Sequence, residues 1–283
     1  MPTAQQADTQ QLEQTARNLR SNIVKATTAA ASGHPSSSLS MVEILTVLYF
    51  GDVLRYDAAD PTDPGRDRFI LSKGHGAPGL YAVLAEAGYF PVEDLLTLRK
   101  LGSPLEGHPN MCRLPGVEAS TGSLGQGLSI GIGHALAARI DSSDHRVYVM
   151  VGDGESQEGQ VWEAAMYAGN HGLDNLTLIV DRNGYQQTDA VNEVQPLSPL
   201  DAKLEAFGWA VTEIDGHSLT EVRDAFDWAR SVEGSPQAII ANTIKGKGVA
   251  LLEAKQGGWH GKPVPPEEEA TALAEISASG GRS

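Results

Sequence analysis

Cysteine is nearly absent. Cys112 is the single one in 283 residues, which excludes an intrachain disulfide and leads one to expect a reducing, cytoplasmic setting. The first thirty residues lack the basic-then-apolar layout of a secretory leader. No apolar run approaches the roughly 18 residues needed to span a bilayer, so no membrane association is expected. Positive charge is also scarce: 21 Lys and Arg stand against 36 Asp and Glu, a formal net charge of −15. A nucleic-acid partner is excluded on that ground, because no basic surplus exists to replace phosphate counterions. An acidic chain that must hold a phosphate needs help, most simply from a bound cation.

What is present is enough for a large core, with 41% hydrophobic residues over the length of one large or two small domains. Leu12, Ala16, Leu19, Ile23, Ala26 and Ala30 recur at intervals of three and four, one stripe of a helix. Gly33-His34-Pro35 breaks that helix, and the serines after it are expected to cap a second one over 41–50. Residues 69–72 read as a short extended segment, 80–87 and 92–99 as helical, and the Gly- and Pro-rich stretch to about 120 as loop. Beyond it, strands are expected at 147–151, 176–180, 209–214 and 238–244. They alternate with helices at 125–140, 161–170, 200–207 and 219–230. Unbroken apolar strands alternating with helices indicate an α/β fold, a doubly wound, mostly parallel sheet with helices on both faces. The chain is expected to form one domain over 1–262, followed by a Pro-, Glu-, Gly- and Ser-rich tail over 263–283, a frayed terminus or cut linker.

Ligands of open α/β sheets bind beyond the carboxyl ends of the strands. Gly152-Asp153-Gly154 follows one strand and Asp181-Arg182-Asn183-Gly184 the next. A right-handed crossover places those strands side by side or nearly so, and Asp153 and Asn183 could then share one hard cation. The glycines beside Asp153 would let a diphosphate approach the backbone, and the helix near Gly159 would point its amino terminus there. An ordinary strand-end turn remains the alternative, since Gly-Asp-Gly alone is a weak signal.

His34, His75, His108 and His260 all sit in loops beside glycine or proline. There an imidazole can hold a hydroxyl or phosphate or pass a proton; the alternative for each is a surface turn. Zinc is disfavoured, because the lone cysteine has no second ligand nearby and no histidine pair has finger-like or i, i+4 spacing. The run Thr121-Gly122-Ser123-Leu124-Gly125-Gln126-Gly127 is no Walker loop, and it lacks the preceding strand of a dinucleotide fingerprint. Gly127 and Gly131 make a small face, suited to close packing, including across a subunit interface, or to cofactor contact.

Taken together, Ser32-Gly-His-Pro35, Ser72-Lys-Gly-His-Gly-Ala-Pro78, Glu106-Gly-His-Pro109, Ser120-Thr-Gly-Ser-Leu-Gly-Gln-Gly127, Gly152-Asp-Gly-Glu-Ser-Gln-Glu-Gly159 with Trp162-Glu-Ala, and Asn242-Thr-Ile-Lys-Gly-Lys-Gly248 resemble the thiamine-diphosphate domain of transketolases. The likeness runs over nearly the whole chain and is strongest to transketolases split into two chains; Lys73-Gly74-His75-Gly76 has the transketolase form rather than that of deoxyxylulose-phosphate synthases.

The resemblance implies thiamine diphosphate with Mg²⁺ or another divalent cation, Asp153, Asn183 and the carbonyl of Tyr185 being the metal ligands. It implies His75, Gly122, Ser123, Leu124, Gly152, Gly154, Glu155 and Asn183 around the cofactor. His34, His108 and His260 would act at the carbon where bonds change, and Glu158 would join a hydrogen-bond network between paired sites. One departure is Ser36-Ser37-Ser38, where glycine commonly follows the proline.

A larger departure is the lack of a match to the glutamate that the family sets on the aminopyrimidine ring. That implies a second subunit with the pyrimidine-binding and C-terminal domains, an α2β2 assembly, and transfer of a two-carbon ketol unit between a ketose, or its phosphate, and an aldose. The alternatives are a subunit of a decarboxylating thiamine-dependent synthase or dehydrogenase, and a non-catalytic binding module.

Overall fold

The computed structural model describes residues 9–187, 189–254 and 256–278. The apolar stripe from Leu12 lies on α1 (Thr9–Ala29), followed by α2 (Pro35–Leu39), α3 (Val42–Phe50), β1 (Arg68–Leu71) and α4 (Ala77–Glu86). A 3-10 turn at Val92–Thr97 precedes a long loop, then α5 (Gln126–Ile140), β2 (Val147–Gly152), α6 (Gly159–Asn170) and β3 (Leu176–Arg182). A hairpin of β4 (Tyr185–Gln186) and β5 (Asp189–Ala190) leads to α7 (Val191–Val194), α8 (Leu200–Ala206), β6 (Ala210–Asp215), α9 (Leu219–Ser231) and β7 (Gln237–Asn242). The chain closes with α10 (Ala250–Glu253) and α11 (Glu269–Ala278). Among the described residues no helix is long and apolar enough to cross a membrane.

Five strands form a parallel sheet in the order β1-β2-β3-β7-β6. Successive side chains of a strand leave opposite faces, and both faces here are covered. Tyr148 and Met150 of β2 enter a core with α1, α3, α4 and α9, whereas Val147, Val149 and Val151 enter one with α5, α6 and α8. That is why these strands read as continuous apolar runs.

Handedness sets which helices lie where. The chain steps one way across the sheet from β1 to β2, β3 and β6, so right-handed crossovers put α5, α6 and α8 on one face. The return from β6 to β7 runs the other way, and α9 lies on the opposite face. Adjacent strands β3 and β7 therefore continue to opposite faces, β3 toward Leu200 of α8 and β7 toward Val249 and Leu252. The carboxyl ends of such a pair open a crevice.

Three expectations are corrected. The stretch after Pro35 is helical, because proline suits the first turn of α2. Gly127 and Gly131 face their own sheet: an added Cβ would lie 2.4 Å from Ser72 Cβ and 2.4 Å from Val149 Cγ2 respectively, so they serve neither an interface nor a cofactor. The expected tail is, over Glu269–Ala278, a helix whose buried Ala272 and Ile276 join the core beside α1; residues 279–283 lie outside the described residues.

Candidate active site

The crevice holds a cavity of about 410 Å³. Its floor comes from two neighbouring strand ends, since β2 and β3 pair Gly152 with Asp181. The next residue, Asp153, is buried, its Oδ1 accepting the Gly154 N–H at 2.8 Å and its Oδ2 the Gly184 N–H at 2.6 Å. Burial, and then the nearby Asp181 carboxylate, push its pKa up to about 6. Asn183 is oriented by donating to Asp181 Oδ2 at 3.2 Å and accepting the Tyr185 N–H at 3.2 Å. Asp153, Asn183 and Tyr185 all line the cavity.

These hard oxygen donors fit magnesium, which takes few protein ligands and leaves places for water and phosphate oxygens. Among the described residues no three His, Cys, Asp or Glu side chains converge as a complete cage. The fit rests on a buried carboxylate whose own neighbours favour its neutral form, a situation that a bound cation reverses.

Lys73 supports this floor from below. Its fully buried ammonium donates to Ser37 O at 2.9 Å and to Asp181 Oδ2. Ser40 and Thr243 hydroxyls also donate to Asp181. Burial opposes ionisation of Asp181, but Lys73 and these donors hold it below the usual carboxylate range. The buried charge is thus matched, as an interior ion pair must be.

One wall is made of imidazoles. The ring centroids of His34, His75 and His260 lie 5.2, 5.1 and 5.4 Å apart, a triangle drawn from three loops distant in sequence. Burial first, then nearby positive groups, lower His34 to about 3 and His260 to about 4, and hold His75 well below its ordinary value. All three are neutral near pH 7. The Lys245 ammonium donates to His260 Nδ1 at 3.1 Å, which leaves the ring proton on Nε2. His34 Nδ1 is buried without a hydrogen-bond partner, a polar atom waiting for a ligand.

The cavity is also lined by His108. Tyr81 OH donates to the carbonyls of Glu106 at 3.0 Å and His108 at 3.1 Å, fixing the loop. Gly122 is required beside it: its φ is +141°, and a Cβ there would lie 3.0 Å from the His108 ring. Glu155 also borders the cavity, but both its oxygens are occupied. Oε1 accepts from Ser72 Oγ at 2.6 Å and the Gly125 N–H at 2.9 Å, and Oε2 from the Gly152 N–H at 3.0 Å. It clasps the two glycine turns together. Glu158 stands exposed at the rim, where α6 begins.

The structure thus brings together all the expected site residues except Ser123, which is exposed and does not line the cavity. Of the serine run only Ser37 reaches it; Ser36 Oγ turns away to Trp259 O at 3.0 Å, and Ser38 Oγ to His34 O at 2.9 Å. Sequence reading assigned no role to Lys73, Asp181, Lys245, Gln186 or Gln187. Asp181 lies near the carboxyl end of β3 and Lys245 just past that of β7, so the positional rule that points to Asp153 applies to them too.

Comparison with known proteins agrees with this geometry. Residues 9–277 match the family model described as transketolase, thiamine diphosphate binding domain. The chain is 47% identical over 268 residues to transketolase of Rattus norvegicus, covering 94% of this chain and 42% of that protein. It is 46% identical over 248 residues to the 6-deoxy-6-sulfo-D-fructose transketolase subunit SqwG of Clostridium sp. (strain MSTE9), covering 88% of this chain and 90% of that one. The crystal structure of Campylobacter jejuni transketolase superposes with a TM-score of 0.90 at 34% identity, over 98% of this chain and 44% of that one. The chain therefore spans less than half the length of the rat and Campylobacter transketolases. With its α/β sheet, glycine turns and histidine wall, the chain belongs to the transketolase family and is built on that family's thiamine-diphosphate-binding domain.

Proposed function

We propose that this chain is the cofactor-binding subunit of a two-chain, cytoplasmic transketolase-type enzyme, which transfers a two-carbon ketol unit from a ketose to an aldose. The observation that carries this is the meeting, in one cavity, of the Asp153 and Asn183 oxygens with the neutral imidazoles of His34, His75 and His260.

When bound, thiamine diphosphate supplies a carbanion-stabilising centre for cleaving and forming the carbon–carbon bond. Asp153 and Asn183, with the Tyr185 carbonyl, would hold the divalent cation that offsets the diphosphate charge. Gly152, Gly154 and Gly122 keep the backbone open to close approach, and Leu124 gives an apolar contact. His260 presents its Nε2–H to a sugar oxygen. His34 and His108, uncharged near neutral pH, can each accept a hydroxyl proton and return it, the role of a positioned acid–base.

The cavity's carboxylates are already committed: Asp153 to the cation, Glu155 to the glycine turns, and Glu158 to the rim. Among the described residues no buried carboxylate of the cavity is left for an aminopyrimidine. That supports a second subunit carrying the pyrimidine-binding domain, with Glu158 reaching the neighbouring site in an α2β2 assembly. The extent of the match to SqwG supports the same division. Its name also makes a ketose with an anionic end, sulfonate or phosphate, the first donor class to try.

The test is reconstitution. This chain alone should be inactive, and mixing with the partner, thiamine diphosphate, Mg²⁺, a ketose phosphate or sulfonate and an aldose should yield transfer. Full turnover by this chain alone would refute the two-chain reading, and a stable but inert complex would refute transfer.

A further inference from the structure

Arg99 does not line the cavity, yet it touches two of the loops that do, and no sequence motif assigns it. It follows the 3-10 turn with φ +58°, a left-handed conformation unusual for a long side chain, and its N–H is pinned to Leu105 O at 2.8 Å. From there its guanidinium reaches two loops. Nη1 donates to Ser32 Oγ at 2.9 Å, two residues before His34, and Nη2 to Gly107 O at 3.3 Å, one residue before His108. Glu106, the acid beside that loop, pairs with Arg113 at 3.1 Å instead.

Gly107 shows how close the fit is. Its φ is not left-handed, so the backbone does not demand glycine there. A Cβ at that position would, however, lie 3.0 Å from Cζ, Nε and Nη2 of Arg99. The glycine of this Gly-His-Pro loop leaves room for the guanidinium, not for a turn.

We propose that Arg99 is a positioning residue that clamps the two Gly-His-Pro loops, fixing His34 and His108 relative to one another in the cavity lining. Its planar fork suits two acceptors on separate loops in a way an ammonium does not. Its charge supports the assignment: after burial, Arg99 is the positive group that lowers His108, and it also contributes, with His260, His108 and Lys245, to the lowering of His34.

The kinetic part of this inference rests on the transfer reading; the structural part does not. The test uses the full chain, with ring nitrogens of His108 titrated by NMR in wild type, R99Q and R99K, and turnover measured in the reconstituted complex. R99Q should raise the His108 midpoint toward 6.5, while His134 and His145, whose charged neighbours do not include Arg99, stay put. R99K keeps the charge and leaves that midpoint unmoved, but cannot span both loops. Both variants should lose roughly ten- to a hundredfold in kcat, the scale of misplacing a reacting group, with unchanged melting temperatures. An unmoved His108 in R99Q, or wild-type turnover in R99K, overturns the proposal. If the wild-type complex shows no transfer, the functional reading fails and the His108 titration alone decides the clamp.

Discussion

Lys245 Nζ and His260 Nδ1 lie 3.1 Å apart, joining the loop after β7 to the histidine wall. Burial, and then the charge of Lys73, bring Lys245 down to about 8, so the ammonium that fixes the His260 tautomer is lost in a mildly alkaline range. Turnover of the complex should therefore fall above about pH 8. Arg at 245 would keep its charge to much higher pH and should move that limb upward, whereas K245M should raise the His260 midpoint from about 4 by removing the first charge that lowers it. A pH–rate profile and an imidazole titration check both; an identical alkaline limb in K245R would show that another group sets it.

The loop histidines are predicted to act on substrate rather than on the fold. Alanine at His34, His108 or His260 should lower turnover by roughly 10²–10⁴-fold, the usual worth of positioned acid–base help. Melting temperature should hardly change, because His34 Nδ1 has no partner to lose. Unfolding without a specific kinetic defect would instead make these side chains structural.

Asp153 should matter to both cofactor binding and the local fold. D153A is expected to remove detectable thiamine diphosphate binding in Mg²⁺, measured by calorimetry in the complex. Without ligands, D153N should melt below wild type, because its amide NH2 faces the N–H of Gly154 or Gly184 and leaves that donor without an acceptor. Tight binding by D153A, or binding unaffected by excess chelator, would remove the cation from this site.

A second buried carboxylate, Glu43, links α3 to the loop that carries Lys245. Its Oε1 accepts from Arg20 Nη2 at 2.5 Å and its Oε2 from His217 Nδ1 at 2.9 Å, while His217 Nε2 accepts the Ile244 N–H at 2.8 Å. Burial pushes Glu43 up, but Arg20 and His217 outweigh it and hold it at about 2. The folded value lies below the unfolded one, so the stabilisation is full above about pH 4.5 and is lost as pH falls toward 2. E43A should cost about 3–5 kcal/mol at pH 7 by stranding Arg20, and the gap from wild type should narrow between pH 4.5 and 2. Denaturant unfolding at several pH values checks this; a gap independent of pH would mean that packing, not charge, is lost.

The central strands were legible because burial on both faces writes them as apolar runs, and Asp153 and Asn183 because the carboxyl end of a parallel strand is where such a sheet binds. The Lys73–Asp181 pairing was not, since it spans 108 residues and only the fold brings the two together. Arg99 reads in sequence as an ordinary cation at the end of a helical pattern. The two-residue strands β4 and β5 are too short to leave a periodic signal, and β4 places Gln186 so close that a Cβ on Gly154 would lie 2.6 Å from its own. The C-terminal segment was misread for a different reason: proline and glutamate before small residues suggest a linker, while only two buried positions mark it as a helix.

Those two positions carry the last prediction. Ile276 is fully buried and Ala272 nearly so, within the core that α1 covers. The segment is tied at two further points: Glu275 Oε2 accepts the Ala250 N–H at 2.8 Å, and Thr28 Oγ1 donates to Val264 O at 3.1 Å. I276A should cost about 2–5 kcal/mol, the range for truncating a buried isoleucine. Ending the chain before Glu269 should cost more, because it uncovers the apolar stripe of α1 as well. Urea unfolding of the three forms is the check: the midpoint should fall from wild type to I276A to the truncated chain, and an unchanged midpoint in the truncated chain would return this segment to the status of a tail.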